Sequence, residues 1–178
     1  LPSFDSSSAW QTQLIRIYFQ NVNGLKTSDD GTDMLDAFFH MDTIRADIFG
    51  FVETKIDCNN TTVQSILHRN KRKVWDHCKL ETSSSRTEWT SLYKPGGTLL
   101  GVTGPLVGRV KKVISDELGR WTGIEFLGRD GRCLVVICAY QVCQKSNQAG
   151  FFTAYNQQHT MLRLRGIDNP KPRTQFVT

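Results

Sequence analysis

Leu14-Ile15-Arg16-Ile17-Tyr18-Phe19-Gln20-Asn21-Val22-Asn23-Gly24-Leu25 reads as a strand that runs into a polar turn. Strand side chains alternate faces, so Ile15, Ile17 and Phe19 share parity with Asn21 and Asn23. A second run, Ala46-Asp47-Ile48-Phe49-Gly50-Phe51-Val52-Glu53-Thr54-Lys55, puts Phe49 and Phe51 in parity with Glu53. Two inward-facing strands ending in Asn, Asn and Glu are expected to form the rim of an oxygen-lined cation or phosphate site. Between them, Met34, Ala37, Phe38, Met41 and Ile44 recur at helical spacing behind the acidic stretch Asp30 to Asp33. Strand, helix and strand together have the length of a parallel β-α-β crossover.

Outward from this unit, Asn60 or Thr61 is expected to cap a short helix bearing Val63, Ile66 and Leu67. A strand is expected over Lys73–Leu80 and a Ser/Thr-rich loop over Thr82–Thr90. From Pro95 the texture becomes antiparallel β, with strands at Thr98–Thr103, Val107–Ile114, Trp121–Leu127 and Arg132–Tyr140. Gly128-Arg129-Asp130-Gly131 gives a hairpin between the last two. A final helix carries Phe152, Tyr155 and Leu162 and closes at Gly166.

With 178 residues, 39% hydrophobic and 22% charged, the chain has the composition of one ordinary globular domain. It is expected to divide into an irregular N-terminus, 1–13, and a domain over 14–178. No apolar run is long enough for a membrane-spanning helix. Leu1 to Gln13 is Ser-rich without an apolar core, so it does not read as a signal peptide, and the absence of an initiator Met points to a fragment. The net charge of +5 leans toward a polyanionic partner. The cluster His68-Arg69-Asn70-Lys71-Arg72-Lys73 reads as a localisation signal, a phosphate patch or a solvated helix end. Five cysteines without a Cys-x-x-Cys pair suit free thiols in a reducing compartment, nuclear or cytoplasmic.

Asn21-Val22-Asn23-Gly24-Leu25, Glu53-Thr54-Lys55, Lys94-Pro95-Gly96-Gly97-Thr98 and Ala139-Tyr140, in this order, resemble the endonuclease/exonuclease/phosphatase superfamily. The flavour is that of the apurinic-endonuclease-like domain of non-LTR retrotransposons, and only of its N-terminal part. The resemblance implies an α/β fold, a four-layer α/β sandwich with the C-terminal part missing. It implies Mg²⁺-assisted attack of water on a phosphodiester, most simply nicking of DNA. Asn21, Glu53 and Tyr140 would be catalytic positions, Glu53 and Asn23 metal ligands, and Lys55 and Arg120 nucleic-acid contacts. Partners implied are DNA, the missing C-terminal part of the same domain, or a reverse transcriptase in a longer protein. No membrane partner is implied.

The resemblance also has gaps. The superfamily's Gly-Asp-x-Asn and Ser-Asp-His signatures do not occur in this sequence. Gly166-Ile167-Asp168-Asn169 and Ser115-Asp116-Glu117 are decoys for them. The chain alone is therefore expected to be inactive. Alternatives are a non-catalytic nucleic-acid-binding remnant or a phosphatase of small phosphoesters. His40, His68, His77 and His159 are assigned to surface or packing roles.

Overall fold

The computed structural model describes residues 14–26, 32–85, 96–128 and 131–140. Strand β1 (Ile17–Asn21), helix α1 (Thr32–Thr43) and strand β2 (Ile48–Val52) form the expected crossover. β1 and β2 pair in parallel, Ile17 opposite Ile48 and Asn21 opposite Val52. α1 buries Met34, Phe38 and Met41, one apolar stripe at helical spacing. Helix α2 (Thr61–Val74) is capped by Asn60, whose Oδ1 accepts from the Thr62 and Val63 amides.

Strands β3 (Cys78–Ser83) and β4 (Thr98–Thr103) complete a four-stranded sheet of order β1-β2-β4-β3. A 3-10 turn, Gly104–Arg109, leads to β5 (Val110–Ser115). With β6 (Trp121–Leu127) and β7 (Cys133–Ala139) it forms a second sheet, antiparallel throughout. The two helices pack on one face of the first sheet through Phe38, Phe49, Phe51, Leu99 and Leu67. The other face meets the second sheet through Ile48, Leu100, Val102, Ile124, Phe126 and Cys138. β2 is thus covered on both faces, which accounts for its unbroken apolar run.

Several sequence expectations change. The apolar residues of the two opening runs do not share a face. Phe19 packs toward the second sheet, whereas Phe49 and Phe51 pack toward the helices beside Phe38 and Trp75. The parallel register sets Phe19 beside Gly50, where a Cβ would lie 2.3 Å from the Phe19 ring, so β2 leaves that space to its neighbour. The expected strand at Lys73–Leu80 begins at Cys78 instead. Helix α2 continues to Val74 because Val63, Ile66, Leu67 and Asn70 keep a helical stripe, and Lys71, Arg72 and Lys73 suit its C-terminal dipole. The basic cluster is therefore a helix end. The strand expected from Val107 starts at Val110, after the turn that Pro105 opens.

β3 extends through Ser83 into the segment read as loop, and Ser85 bridges to Leu118. The final helix, its Gly166 terminus and the N-terminal segment lie outside the described residues, as does Cys143. Among the described residues, no helix is long and apolar enough to cross a membrane. β1 and β7 stand at sheet edges there, with Ile15, Ile17, Leu134 and Val135 about half exposed.

Two outcomes follow from this packing. The Phe49 ring lies across Gly101, where a Cβ would come within 2.2 Å of it. Gly101→Ala is expected to lower stability by about 1–3 kcal/mol, measured as a lower urea midpoint; an unchanged midpoint would contradict the packing. Burial pushes the Cys138 thiol up to about 12, and does the same for Cys78 against a partial offset from Lys71. Cys133 is exposed. Alkylation of the native protein at pH 8 should label Cys133 well before Cys78 or Cys138, and mass spectrometry after digestion reads the order.

Candidate functional site

The site lies where β1, β2, β4 and β7 reach the same end of the two sheets, and backbone bonds knit those ends together. The Val22 amide donates to the Val52 carbonyl at 3.1 Å and the Leu25 amide to the Thr54 carbonyl at 2.8 Å. Thr54 and Lys55 donate to the carbonyls of Gly97 and Gly96 at 3.1 and 2.8 Å. Gly97 donates to Gly119 at 2.9 Å, and Tyr140 to Arg120 at 2.7 Å. A continuous ladder therefore links Asn21 and Asn23 to Glu53 and Lys55, then to Arg120 and Tyr140.

Backbone strain concentrates in the same place. Asn23 (φ 48°), Glu53 (φ 56°) and Lys55 (φ 58°) are left-handed, three of the four non-glycine residues so placed among those described. Asn tolerates this conformation, but Glu and Lys have no such preference. Each such residue costs on the order of 1–3 kcal/mol and persists only where its surroundings enforce it. The left-handed Glu53 also ends the strand alternation at Val52, so parity with Phe51 does not set its direction.

Side-chain contacts define each role more closely. The Asn23 amide donates to Asn21 Oδ1 at 3.0 Å, an Asx turn that closes β1. The Lys55 ammonium donates to Asn23 Oδ1. The Arg120 guanidinium stands 5.8 Å from the Tyr140 ring centroid, a cation-π pair. It also lies against Gly96, where a Cβ would be 2.9 Å from its Nη1. Gly97, at φ 85°, makes room for Thr54, whose Oγ1 would lie 2.5 Å from a Cβ there.

For a divalent cation, Glu53 provides one hard anionic oxygen, which suits Mg²⁺, an ion held by few carboxylates alongside waters and phosphate. Asn23 fits less directly, since its oxygen is uncharged and already accepts from the Lys55 ammonium. No cluster of three His, Cys, Asp or Glu residues suited to a metal occurs among the described residues.

Sequence reasoning passed over Asp116, treating it only as a catalytic decoy. It is a positioning residue: buried, its Oδ1 accepts from Ser83 Oγ at 2.7 Å and from the Arg120 and Trp121 amides at 2.7 and 3.1 Å. It thereby fixes the turn that presents Arg120. An Asp followed three residues later by Gly119 was the available signal.

The fold has counterparts among solved structures. An endonuclease/exonuclease/phosphatase family protein from Leptotrichia buccalis superposes with a TM-score of 0.52 at 14% identity, over 93% of this chain and 63% of that one. An AP endonuclease from Leishmania major gives 0.51 at 17% identity, over 86% of this chain and 45% of that one. This is the endonuclease/exonuclease/phosphatase α/β sandwich fold. The chain spans roughly half to two thirds of the length of these two proteins. No family model and no curated protein matches the sequence.

The glycine pair gives a direct check on the ladder. Gly97→Ala adds a methyl against Thr54 at a left-handed position, and is expected to cost about 1–3 kcal/mol. Hydrogen exchange should show the Thr54 and Lys55 amides losing protection ahead of the β6–β7 ladder; uniform loss would separate Gly97 from the site.

Proposed function

We propose that these strand ends form the metal-anchoring and phosphate-binding wall of a DNA phosphodiesterase of the retrotransposon endonuclease type. The observation that carries this reading is the joining of Asn21, Asn23, Glu53, Lys55, Arg120 and Tyr140 by one backbone ladder, with left-handed strain confined largely to it. The fold supports it, as does the Asn-x-Asn-Gly, Glu-Thr-Lys and Tyr pattern.

Glu53 would hold Mg²⁺. When bound, the ion supplies Lewis-acid polarisation of a phosphoryl oxygen and a more acidic water. Asn21, its Oδ1 tied to the Asn23 amide, keeps its Nδ2 hydrogens for a phosphate oxygen. The Tyr140 hydroxyl would donate toward charge developing on the non-bridging oxygens. Lys55 and Arg120 would neutralise neighbouring backbone phosphates, contacts that position the strand without reading its sequence. A group to orient the attacking water comes from none of these residues. Residues of the Gly-Asp-x-Asn and Ser-Asp-His kind would supply it, so these residues alone are expected to bind without cutting.

Two measurements test this. The 178-residue chain should bind duplex DNA with an affinity that falls with salt, and Lys55→Ala or Arg120→Ala should each reduce the salt slope by about one. With Mg²⁺ it should leave supercoiled plasmid intact. Nicking that Glu53→Ala abolishes would overturn the assignment of water activation to other segments. DNA binding indifferent to both cations would overturn the wall itself.

A further inference from the structure

Helix α2 carries more positive charge than its place in the fold calls for. From Asn59 to Trp75 the sequence holds Arg69, Lys71, Arg72 and Lys73 and no Asp or Glu. The helix packs Val63, Ile66, Leu67 and Val74 on the core, which leaves Arg69, Arg72 and Lys73 exposed on its outer face and Lys71 half-buried. Arg69, Arg72 and Lys73 stand at i, i+3 and i+4, so they neighbour one another on that face. The helix dipole accounts for the placing of cations at this end, but the terminus carries only about half a negative charge. The four cations exceed it several-fold. Like charges three and four residues apart destabilise a helix, a repulsion that a bound polyanion removes.

Neighbouring elements enlarge this patch. The Trp75 indole, just past α2, donates to Asp42 Oδ1 at 3.0 Å, which sets the end of α1 and the exposed Arg45 alongside. The Gly104 amide donates to the His77 carbonyl at 3.0 Å, which sets the turn ending in the exposed Arg109 at the same end. Asp42, Asp47 and Asp76 share this end. Asp42 is bonded to the indole, and Asp47 Oδ2 accepts from the Arg16 amide at 2.8 Å, so both carboxylates are tied into the fold. Asp47 precedes β2 and Glu53 follows it. At about 3.3 Å per residue, the basic end and the rim stand roughly 20 Å apart, at opposite ends of the sheet.

We infer that this end of the molecule, centred on α2, is a second nucleic-acid-binding surface, which takes the phosphate backbone of a duplex segment other than the one at the rim. Its cations hold phosphates without reading sequence. Duplex DNA is stiff over about 150 base pairs, so a short duplex cannot bend from one end of the sheet to the other, and the chain bridges two segments. Charge complementarity names the occupant. An anionic membrane is the poorer partner, because every apolar side chain of α2 packs on the core and none is left to enter lipid. The surface does not depend on the rim: if the rim held no DNA, one duplex would bind here instead of two.

Calorimetric titration of the full chain with a DNA duplex of about 12 base pairs, roughly 40 Å long, tests this at several salt concentrations. Two duplexes per chain are expected, and one when Arg69→Gln, Arg72→Gln and Lys73→Gln are combined. Lys55→Ala with Arg120→Ala should leave the α2 duplex bound, and adding Arg72→Gln should then lower its salt slope by about 0.9, one phosphate contact. If the triple variant fails to fold, as circular dichroism would show, Arg72→Gln decides alone through that slope. One duplex on the native chain, lost in the triple variant, would support the α2 surface and overturn the rim. Stoichiometry and salt slope unchanged by the glutamine substitutions would overturn the α2 surface. Polyglutamate, or phosphatidylcholine vesicles with about one third phosphatidylserine, bound more tightly than the duplex and released by the same substitutions, would overturn nucleic acid as the occupant.

Discussion

Thr54 is the residue on which the arrangement of the site depends. It is wholly buried, its amide donates to Gly97 and its carbonyl accepts from Leu25. Extensions of β4 and β1 therefore grip it from both sides, two residues beyond the end of β2 proper. Glu53 and Lys55 flank this fixed point, and both are forced into left-handed backbone. The cost, on the order of 1–3 kcal/mol per residue, is sustained because β2 beneath is buried on both faces. Fully burying Phe49, Phe51 and Ile48 contributes about 1.5–3 kcal/mol for each side chain. A strand with one solvated face would relax its end; this one cannot.

The second sheet reaches the same point through the Gly97–Gly119 bond. Asp116 then serves as the counterpart of Thr54, holding the turn from which Arg120 extends over Tyr140. The rim is thus built from two sheets whose ends are joined by the Gly97–Gly119 backbone bond and by the Ser83–Asp116 side-chain bond. Its geometry should be insensitive to substitution of the functional side chains themselves, while Gly96, Gly97 and Asp116 control it from behind.

Much of this was legible in residue order. The β-α-β unit followed from Met34, Phe38 and Met41, whose spacing admits no reading but a helix. The β6–β7 hairpin followed from its turn residues. The extent of α2 was missed because Lys71-Arg72-Lys73 carries no apolar period, and only the dipole at a helix end explains a basic run there. The faces of the opening strands were missed for a different reason. Alternation tells which residues share a side, never which side; that choice was made by Gly50, which yields its space to Phe19. Left-handed backbone at Glu53 and Lys55 had no signal at all, since neither residue type favours it. Asp116 was misjudged because it was examined for chemistry when its task is to hold Arg120.

On the proposed reading, the rim's charges suit holding a phosphate better than activating water. Asn21, Asn23 and Tyr140 are neutral, and Glu53 is one carboxylate against the cations of Lys55 and Arg120. With Asn at position 23, the Lys55 ammonium donates to a neutral oxygen there. A divalent cation at that oxygen would repel the ammonium by about 8 kcal/mol at 4 Å and an effective dielectric of 20. Such an ion is therefore favoured on the Glu53 side, away from Asn23. On the proposed reading, a phosphodiester supplies the anionic oxygens that Asn21, Lys55, Arg120 and Tyr140 would meet. An aspartate at position 23 would reverse that preference, neutralising Lys55 and drawing the cation inward.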